Sequence, residues 1–126
     1  MKNNIKKALR AHKTGNLKEA EELYLKCITI SPNDSNGWYL YGALCQQIGK
    51  TSQAKKYLDR SIKLTANFPE ALNIRGILHK GNGQIRDAEH DFRTALSLDP
   101  TFPEAMTNLA DTCRLTGNYI EAKHLN

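Results

Sequence analysis

The stretch DAEHDF at residues 87–92 places three carboxylates and a histidine within five consecutive positions. These side-chain types carry out general acid–base catalysis when they converge on a substrate. The stretch is predicted to lie on a helix, from which Asp87, Glu89, His90 and Asp91 should mostly point outward. The sequence therefore favours a solvated helix face over a catalytic site here.

The thiols and the other histidines offer no stronger candidate. Cys27, Cys45 and Cys113 are an odd number of cysteines without CxxC spacing, which indicates reduced thiols in a cytoplasmic protein and no disulfide framework. The four histidines lack convincing metal-ligand spacing. The GNG at 81–83 follows no predicted strand, so a phosphate-binding loop is not indicated. We therefore expect no enzymatic activity, no metal and no cofactor.

The charge is divided unevenly along the chain, whose net charge is +5. Residues 1–68 carry 12 Lys and Arg against five Asp and Glu, whereas residues 69–126 carry six against eight. A basic half can attract nucleic acid or an acidic protein. The positive charges crowd two predicted helices, 3–14 and 52–64, in which Tyr57 is the one aromatic residue. Base stacking therefore has little support, and a solubilising surface is favoured. No run approaches the roughly 18 apolar residues of a membrane span, so no membrane association is expected.

A 34-residue repeat organises the whole sequence. The tetrapeptide FPEA occurs at 68–71 and again at 102–105. Small residues recur at three positions of this repeat: Gly15, Gly49, Gly83 and Gly117; Ala20, Ala54, Ala88 and Ala122; and Ala8, Gly42, Gly76 and Ala110. Several positions in register without an insertion or deletion indicate a repeat architecture.

Each repeat is predicted to form two helices with a tight turn between them. Trp38, Tyr41, Gly42 and Cys45 have the spacing of one helical face. The recurring glycine follows, and we expect it to end the first helix with a positive φ. Asn16 with Glu19, and Asn118 with Glu121, resemble capping boxes at the start of the next helix. The predicted helices span 3–14, 18–30, 35–48, 52–64, 69–82, 86–98 and 103–116, with a partial eighth from 119.

The pattern Trp38, Tyr41-Gly42, Gly49, Ala54, Leu58, Ser61 resembles the tetratricopeptide repeat. The resemblance covers the chain as three full repeats, 1–34, 35–68 and 69–102, and part of a fourth, 103–126. It implies an all-α fold in one domain, a right-handed solenoid of antiparallel helix pairs.

The family resemblance also implies that the first helices line a concave groove. Positions one residue beyond the core stripe should then face a bound peptide or partner helix. We predict that the chain is a protein–protein interaction scaffold with this binding set: Asn36, Tyr39, Gln46, Asn73, Ile77, Lys80, Thr107, Asp111 and Arg114.

Two binding modes of the family lack their residues here. The carboxylate clamp of chaperone-binding members uses Lys, Arg and Asn, but those positions hold Ile5, Leu9, Leu40, Glu70 and Ile74. The second mode uses successive asparagines, and of Lys6, Leu40, Ile74 and Asn108 only the last one fits. We therefore expect neither mode.

Two further hypotheses follow from the sequence. The repeats also resemble the N-terminal arms of bacterial glycosyltransferases and sulfotransferases, so the alternative is a substrate-recruiting arm of such an enzyme. The fourth repeat stops at Asn126, which would leave the apolar face around Met106 and Leu109 uncovered. We therefore expect either a longer protein or self-association through this repeat.

Overall fold

The computed structural model describes residues 2–117, with the side chain of Lys2 left aside. This part of the chain contains seven helices and no strand: α1 Lys2–Lys13, α2 Leu17–Ile30, α3 Ser35–Gln47, α4 Thr51–Leu64, α5 Pro69–Gly81, α6 Ile85–Leu98 and α7 Pro103–Leu115. The first seven predicted helices are confirmed, and their boundaries lie within one residue of the prediction. The predicted eighth helix lies outside the described residues.

The chain divides into two compact units, Met1–Ala66 and Asn67–Asn126. In unit 1, α1 packs on α2, α2 packs on α3, and α3 packs on α4. In unit 2, α6 packs on both α5 and α7, and α5 also touches α7. None of the helices within residues 2–117 is long and apolar enough to cross a membrane.

The recurring glycines make the turns that pair the helices. Gly15, Gly49, Gly83 and Gly117 have φ values of 87°, 83°, 79° and 76°, which confirms the predicted left-handed conformation. The residue after the glycine closes the turn: the Lys50 N–H donates to the Cys45 carbonyl at 2.8 Å. This bond satisfies a carbonyl at the end of α3 that has no partner within the helix.

The predicted side-chain cap at Asn16 is wrong. Its side chain makes no capping hydrogen bond, and its backbone has ψ 70°, short of the extended conformation that aims a capping oxygen at the first turn. The turn determines this backbone, because the Asn16 N–H donates to the Ala11 carbonyl at 2.8 Å. The equivalent residue of the fourth repeat, Asn118, lies outside the described residues.

A glycine on each first helix lets the second helix approach closely. A Cβ added at Gly42 would lie 2.9 Å from the Leu58 Cγ, and one added at Gly76 would lie 2.5 Å from the Phe92 ring. Both bulky side chains are fully buried. The repeated pairing of a small and a large residue therefore reflects direct contact between the two helices.

The core of unit 2 continues into α7. Phe92 and Ala88 form one cluster with Leu109 and Cys113. Leu109 is buried, contrary to the expectation that it would be uncovered, because it packs on Phe92 of α6, whereas Met106 is 49% exposed. The apolar surface predicted on α7 is thus centred on Met106 in the described residues.

Candidate peptide-binding surface

The predicted binding residues of unit 2 lie on α5 and α7. The Asn108 Nδ2 group donates to Asn73 Oδ1 at 2.9 Å and joins the two helices. Asn73 is only 6% exposed, so its side chain is largely committed to this bond. The structure therefore gives Asn73 the role of holding the two first helices side by side.

The other five predicted residues of unit 2 are accessible to different degrees. Ile77 is half-buried against the Phe92 cluster. Lys80 is half-buried and has no ion-pair partner among the residues whose side chains are described. On α7, Arg114 is exposed and pairs with the half-buried Asp111, and Thr107 is exposed. We call this set, Ile77, Lys80, Thr107, Asp111 and Arg114, the α5–α7 surface.

The predicted binding residues of unit 1 lie on α3. Asn36 is exposed, whereas Tyr39 and Gln46 are half-buried. A bond that the sequence did not suggest joins α3 to α1, because His12 Nε2 lies 2.6 Å from Gln47 Oε1. The other ring nitrogen of His12 lies 3.0 Å from the Tyr24 hydroxyl. His12 therefore links α1 to both α2 and α3 in unit 1.

The DAEHDF stretch is only partly as predicted, because Asp91 points inward. Its side chain is 2% exposed, and both of its oxygens accept hydrogen bonds from Arg75, each at 2.8 Å. His79 Nε2 lies 3.5 Å from the same carboxylate. Asp91 can be buried because the guanidinium neutralises it and satisfies both oxygens. The sequence signal was the position of Arg75 and Asp91 in the repeat, because unit 1 has the buried Tyr41 and the half-buried Tyr57 at the same two positions.

The remaining members of the stretch form a solvated face, as predicted. Asp87 and His90 are exposed, and Glu89 pairs with Arg93 at 3.1 Å. With Asp91 engaged by Arg75, these side chains do not converge on a common open site. Among residues 2–117, no group of three or more His, Cys, Asp and Glu side chains could hold a metal ion.

The cysteines are buried free thiols. Burial is the main cause that raises the pKa of Cys45 from 9.0 to about 11, and it also raises the pKa of Cys27. A thiol that stays protonated near neutral pH is a poor nucleophile. These two cysteines therefore behave as small core residues.

Family models described as tetratricopeptide repeats match residues 2–56 and 69–124, which are most of the chain. One matches residues 2–34, a second 69–102, and a third both 23–56 and 92–124. The chain belongs to the tetratricopeptide repeat family. The ranges 2–34 and 69–102 coincide with units of the 34-residue spacing, whereas 23–56 and 92–124 begin within second helices, so the repeat boundaries stay a prediction.

Among curated proteins, the human Tetratricopeptide repeat protein 7A is 30% identical over 89 residues, which are 71% of this chain and 10% of that protein. Human Sperm-associated antigen 1 is 29% identical over 101 residues, 79% of this chain and 11% of that protein. The chain thus spans about a tenth of the length of these two relatives.

Solved structures share the tetratricopeptide repeat fold. MamA superimposes with a TM-score of 0.90 at 20% identity, covering 98% of this chain and 72% of MamA. The first tetratricopeptide repeat domain of Spaghetti (RPAP3), bound to the HSP90 peptide SRMEEVD, superimposes with a TM-score of 0.86 at 20% identity, covering 89% of each chain. These similarities confirm the predicted all-α tetratricopeptide repeat fold.

Proposed function

We propose that this chain is a protein–protein interaction module that binds a peptide or a partner helix on its first helices. The observation that carries the proposal is the α5–α7 surface of unit 2. There, the ammonium of Lys80 has no partner among the described side chains, and Ile77 offers a half-buried apolar contact on the same helix. A surface that combines a cation, small polar groups and an apolar side chain suits a peptide.

The rigidity of this surface supports the proposal. The Asn73–Asn108 bond ties α5 to α7 at 2.9 Å, and Ile77 packs on the buried Phe92 cluster. A ligand would therefore meet two helices whose relative position is already held, which lowers the ordering cost of binding. In unit 1, the proposed binding residues are Asn36, Tyr39 and Gln46 of α3, which form a surface considered by itself.

The known structures offer additional support at the level of the family. The Spaghetti (RPAP3) domain of the same fold was solved with a bound HSP90 peptide. The carboxylate clamp does not transfer to this chain, because Ile5, Leu9, Leu40, Glu70 and Ile74 occupy its positions. The proposed partner is thus a peptide recognised through Lys80 and Arg114, in a mode of its own.

The other hypotheses receive less support. These observations do not favour a substrate-recruiting arm of a glycosyltransferase or sulfotransferase, and none of them favours nucleic acid as the partner. Self-association through α7 stays a prediction that rests on the 49% exposure of Met106. A cytoplasmic location is supported by three thiols that form no disulfide.

The test is a selection of short random peptides on the intact chain, followed by affinity measurement with variants. We expect Lys80→Glu combined with Arg114→Glu to raise the Kd of the selected peptides roughly tenfold or more, a loss of about 1.4 kcal/mol. The matched control is Lys56→Glu with Arg60→Glu on α4, which changes the net charge equally and should leave the Kd within about twofold.

Circular dichroism should show that both double variants keep the wild-type helix content. The proposal is wrong if no peptide is enriched, or if the α4 control weakens binding as much as the α5–α7 variant does.

A further inference from the structure

A pocket of about 260 Å³ lies at one end of unit 1, outside the proposed peptide-binding surface. It is bordered by the first turns of α1, the end of α2 and the start of α3. Its lining includes Asn4, Ile5, Cys27, Ile30, Asp34 and Gly37. None of these belongs to the predicted binding set, so the pocket and the α5–α7 surface can be tested separately.

The floor of the pocket is apolar. Ile5 and Ile30 contribute aliphatic side chains, and the thiol of Cys27 is 7% exposed and has a raised pKa, so it stays neutral. Gly37 leaves space, since the equivalent residues of later repeats, Ala71 and Ala105, carry a methyl group. Such a floor suits one aliphatic side chain.

A single charge lies among the lining residues, the carboxylate of Asp34. Its Oδ1 atom accepts a hydrogen bond from the Asn36 N–H at 3.0 Å and so caps α3. Its other oxygen and the side-chain amide of Asn4 have no partner among the described side chains. The pocket therefore keeps hydrogen-bonding capacity, with a negative charge, beside its apolar floor.

The helix ends around the pocket do not alter the sign of this charge. The C-terminal end of α2 favours a cation and the N-terminal end of α3 opposes one, each with about half an elementary charge. These two contributions largely offset each other, whereas the Asp34 carboxylate carries a full charge. The preferred ligand is thus an apolar group next to a cation.

We propose that this pocket binds the N-terminal residue of a partner peptide, an aliphatic residue with a free ammonium group. The aliphatic side chain occupies the floor, and the ammonium donates to Asp34 and Asn4. The exposed side of Ile30, 53% accessible, extends the apolar surface out of the pocket and contacts the residues that follow. A pocket this small holds about one residue, so a longer ligand is needed for useful affinity.

The experiment follows the methyl resonances of Ile5 and Ile30 in the intact chain during titration with a soluble peptide that begins with leucine. We expect saturable shifts of both methyl groups. N-acetylation of the same peptide removes the ammonium and should weaken binding at least tenfold. Equal binding of the acetylated peptide would overturn the proposal, and so would the absence of any shift.

Three variants sharpen the test. Asp34→Asn keeps a good N-cap for α3 but removes the charge, so the fold should persist while binding falls about tenfold. Gly37→Val should fill the pocket and abolish the shifts. Gly37→Ala is the control, because a Cβ there meets Ile28 and Cys27 at ordinary distances of 3.5 and 3.8 Å, and binding should survive.

Two further experiments test whether a free amine or the chain's own N-terminus occupies the pocket instead of a partner peptide. Isobutylamine carries the same aliphatic and ammonium groups without a peptide, and it should bind at least tenfold more weakly than the peptide. Equal affinity would assign the pocket to free amines and overturn the peptide assignment. A chain lengthened at its N-terminus should bind the peptide as the original does, and tighter binding after lengthening would show that the chain's own N-terminal ammonium competes for the pocket and would overturn the proposal.

Discussion

The same two repeat positions hold opposite chemistry in the two units. In unit 1, Tyr41 and Tyr57 pack with ring centroids 4.5 Å apart. In unit 2, 34 residues later, Arg75 and Asp91 form a bidentate ion pair at 2.8 Å. Both pairs join a first helix to its second helix. The comparison teaches that the repeat determines which positions meet and leaves the type of interaction open.

The two solutions stabilise the helix pair by different means. The tyrosine pair removes aromatic surface from water, and Tyr41 also donates a hydrogen bond to Glu21 at 3.3 Å. The ion pair in unit 2 offsets the cost of burying a carboxylate, and each partner depends on the other. Unit 2 should therefore be far more sensitive than unit 1 to the loss of one partner.

The largest effect should come from Arg75→Ala. It leaves the Asp91 carboxylate, 2% exposed, without the guanidinium that satisfies both of its oxygens, and we expect the free energy of unfolding to fall by about 3 kcal/mol. Urea denaturation measures this loss. The control is Lys55→Ala, which removes an exposed ion pair with Asp59 and should cost at most about 0.5 kcal/mol. Equal losses in the two variants would contradict this account.

The second prediction compares the glycines at the helix contact. A Cβ at position 76 would lie 2.5 Å from the rigid Phe92 ring, whereas one at position 42 would lie 2.9 Å from the flexible Leu58 side chain. We expect Gly76→Ala to lower the free energy of unfolding by about 2 kcal/mol and Gly42→Ala to lower it by about 1 kcal/mol. Calorimetry of both variants checks the order. A larger loss at position 42 would mean that Phe92 yields more easily than Leu58.

The third prediction concerns the turn between α5 and α6. Gly83 has φ +79°, so Gly83→Val forces a β-branched residue into the left-handed region and should cost about 1 kcal/mol or more. The matched control is Gly81→Ala two residues earlier, where a Cβ meets nothing within 4 Å and no positive φ occurs. That control should be neutral or slightly stabilising. An unchanged melting temperature for Gly83→Val would contradict the claim that the positive φ at position 83 favours glycine.

The smallest expected effect is on the pH dependence of the unfolding free energy, to which buried groups of unit 1 contribute. Burial raises the pKa of Cys45 from 9.0 to about 11, and that of Tyr24 from 10.0 to about 12, both in unit 1. The folded state thus keeps protons that the unfolded state releases, so their contribution is complete below about pH 9 and is lost as the pH rises toward 12. The fall in unfolding free energy between pH 8 and pH 10.5 should be smaller by roughly 1 kcal/mol in Cys45→Ala.

Chemical denaturation of both proteins at the two pH values gives this difference. Identical pH dependence in Cys45→Ala and the original chain would show that the thiol does not contribute.

The sequence predicted the helices well because their boundaries depend on local chemistry. The glycine at the end of each first helix and the small residues at each contact repeat without a gap, so Gly49 and Gly83 gave the turns directly. Asp91 was placed outward because a lone carboxylate is costly to bury. Its partner Arg75 is 16 residues away on another helix, and only the ion pair formed on folding offsets the cost of burying the Asp91 carboxylate.

The candidate site was less predictable for a related reason. Helical phase correctly placed Lys80 and Arg114 on first helices, but the phase does not show which polar side chains are used internally. Asn73 has the same phase as its neighbours in the predicted set, yet it is 6% exposed and bonded to Asn108. Hydrogen bonds between helices of different repeats leave no periodic signal in one sequence.

The most direct test of the central comparison is a double-mutant cycle at positions 75 and 91. Leucine already occupies the position of Asp91 in the first repeat, as Leu23, so the variants are Arg75→Met, Asp91→Leu and both together. If the repeat determines position and leaves the chemistry open, each single variant should lose about 2–3 kcal/mol while the double variant stays within about 1 kcal/mol of the original chain. A double variant that loses the sum of the two single losses would contradict the account.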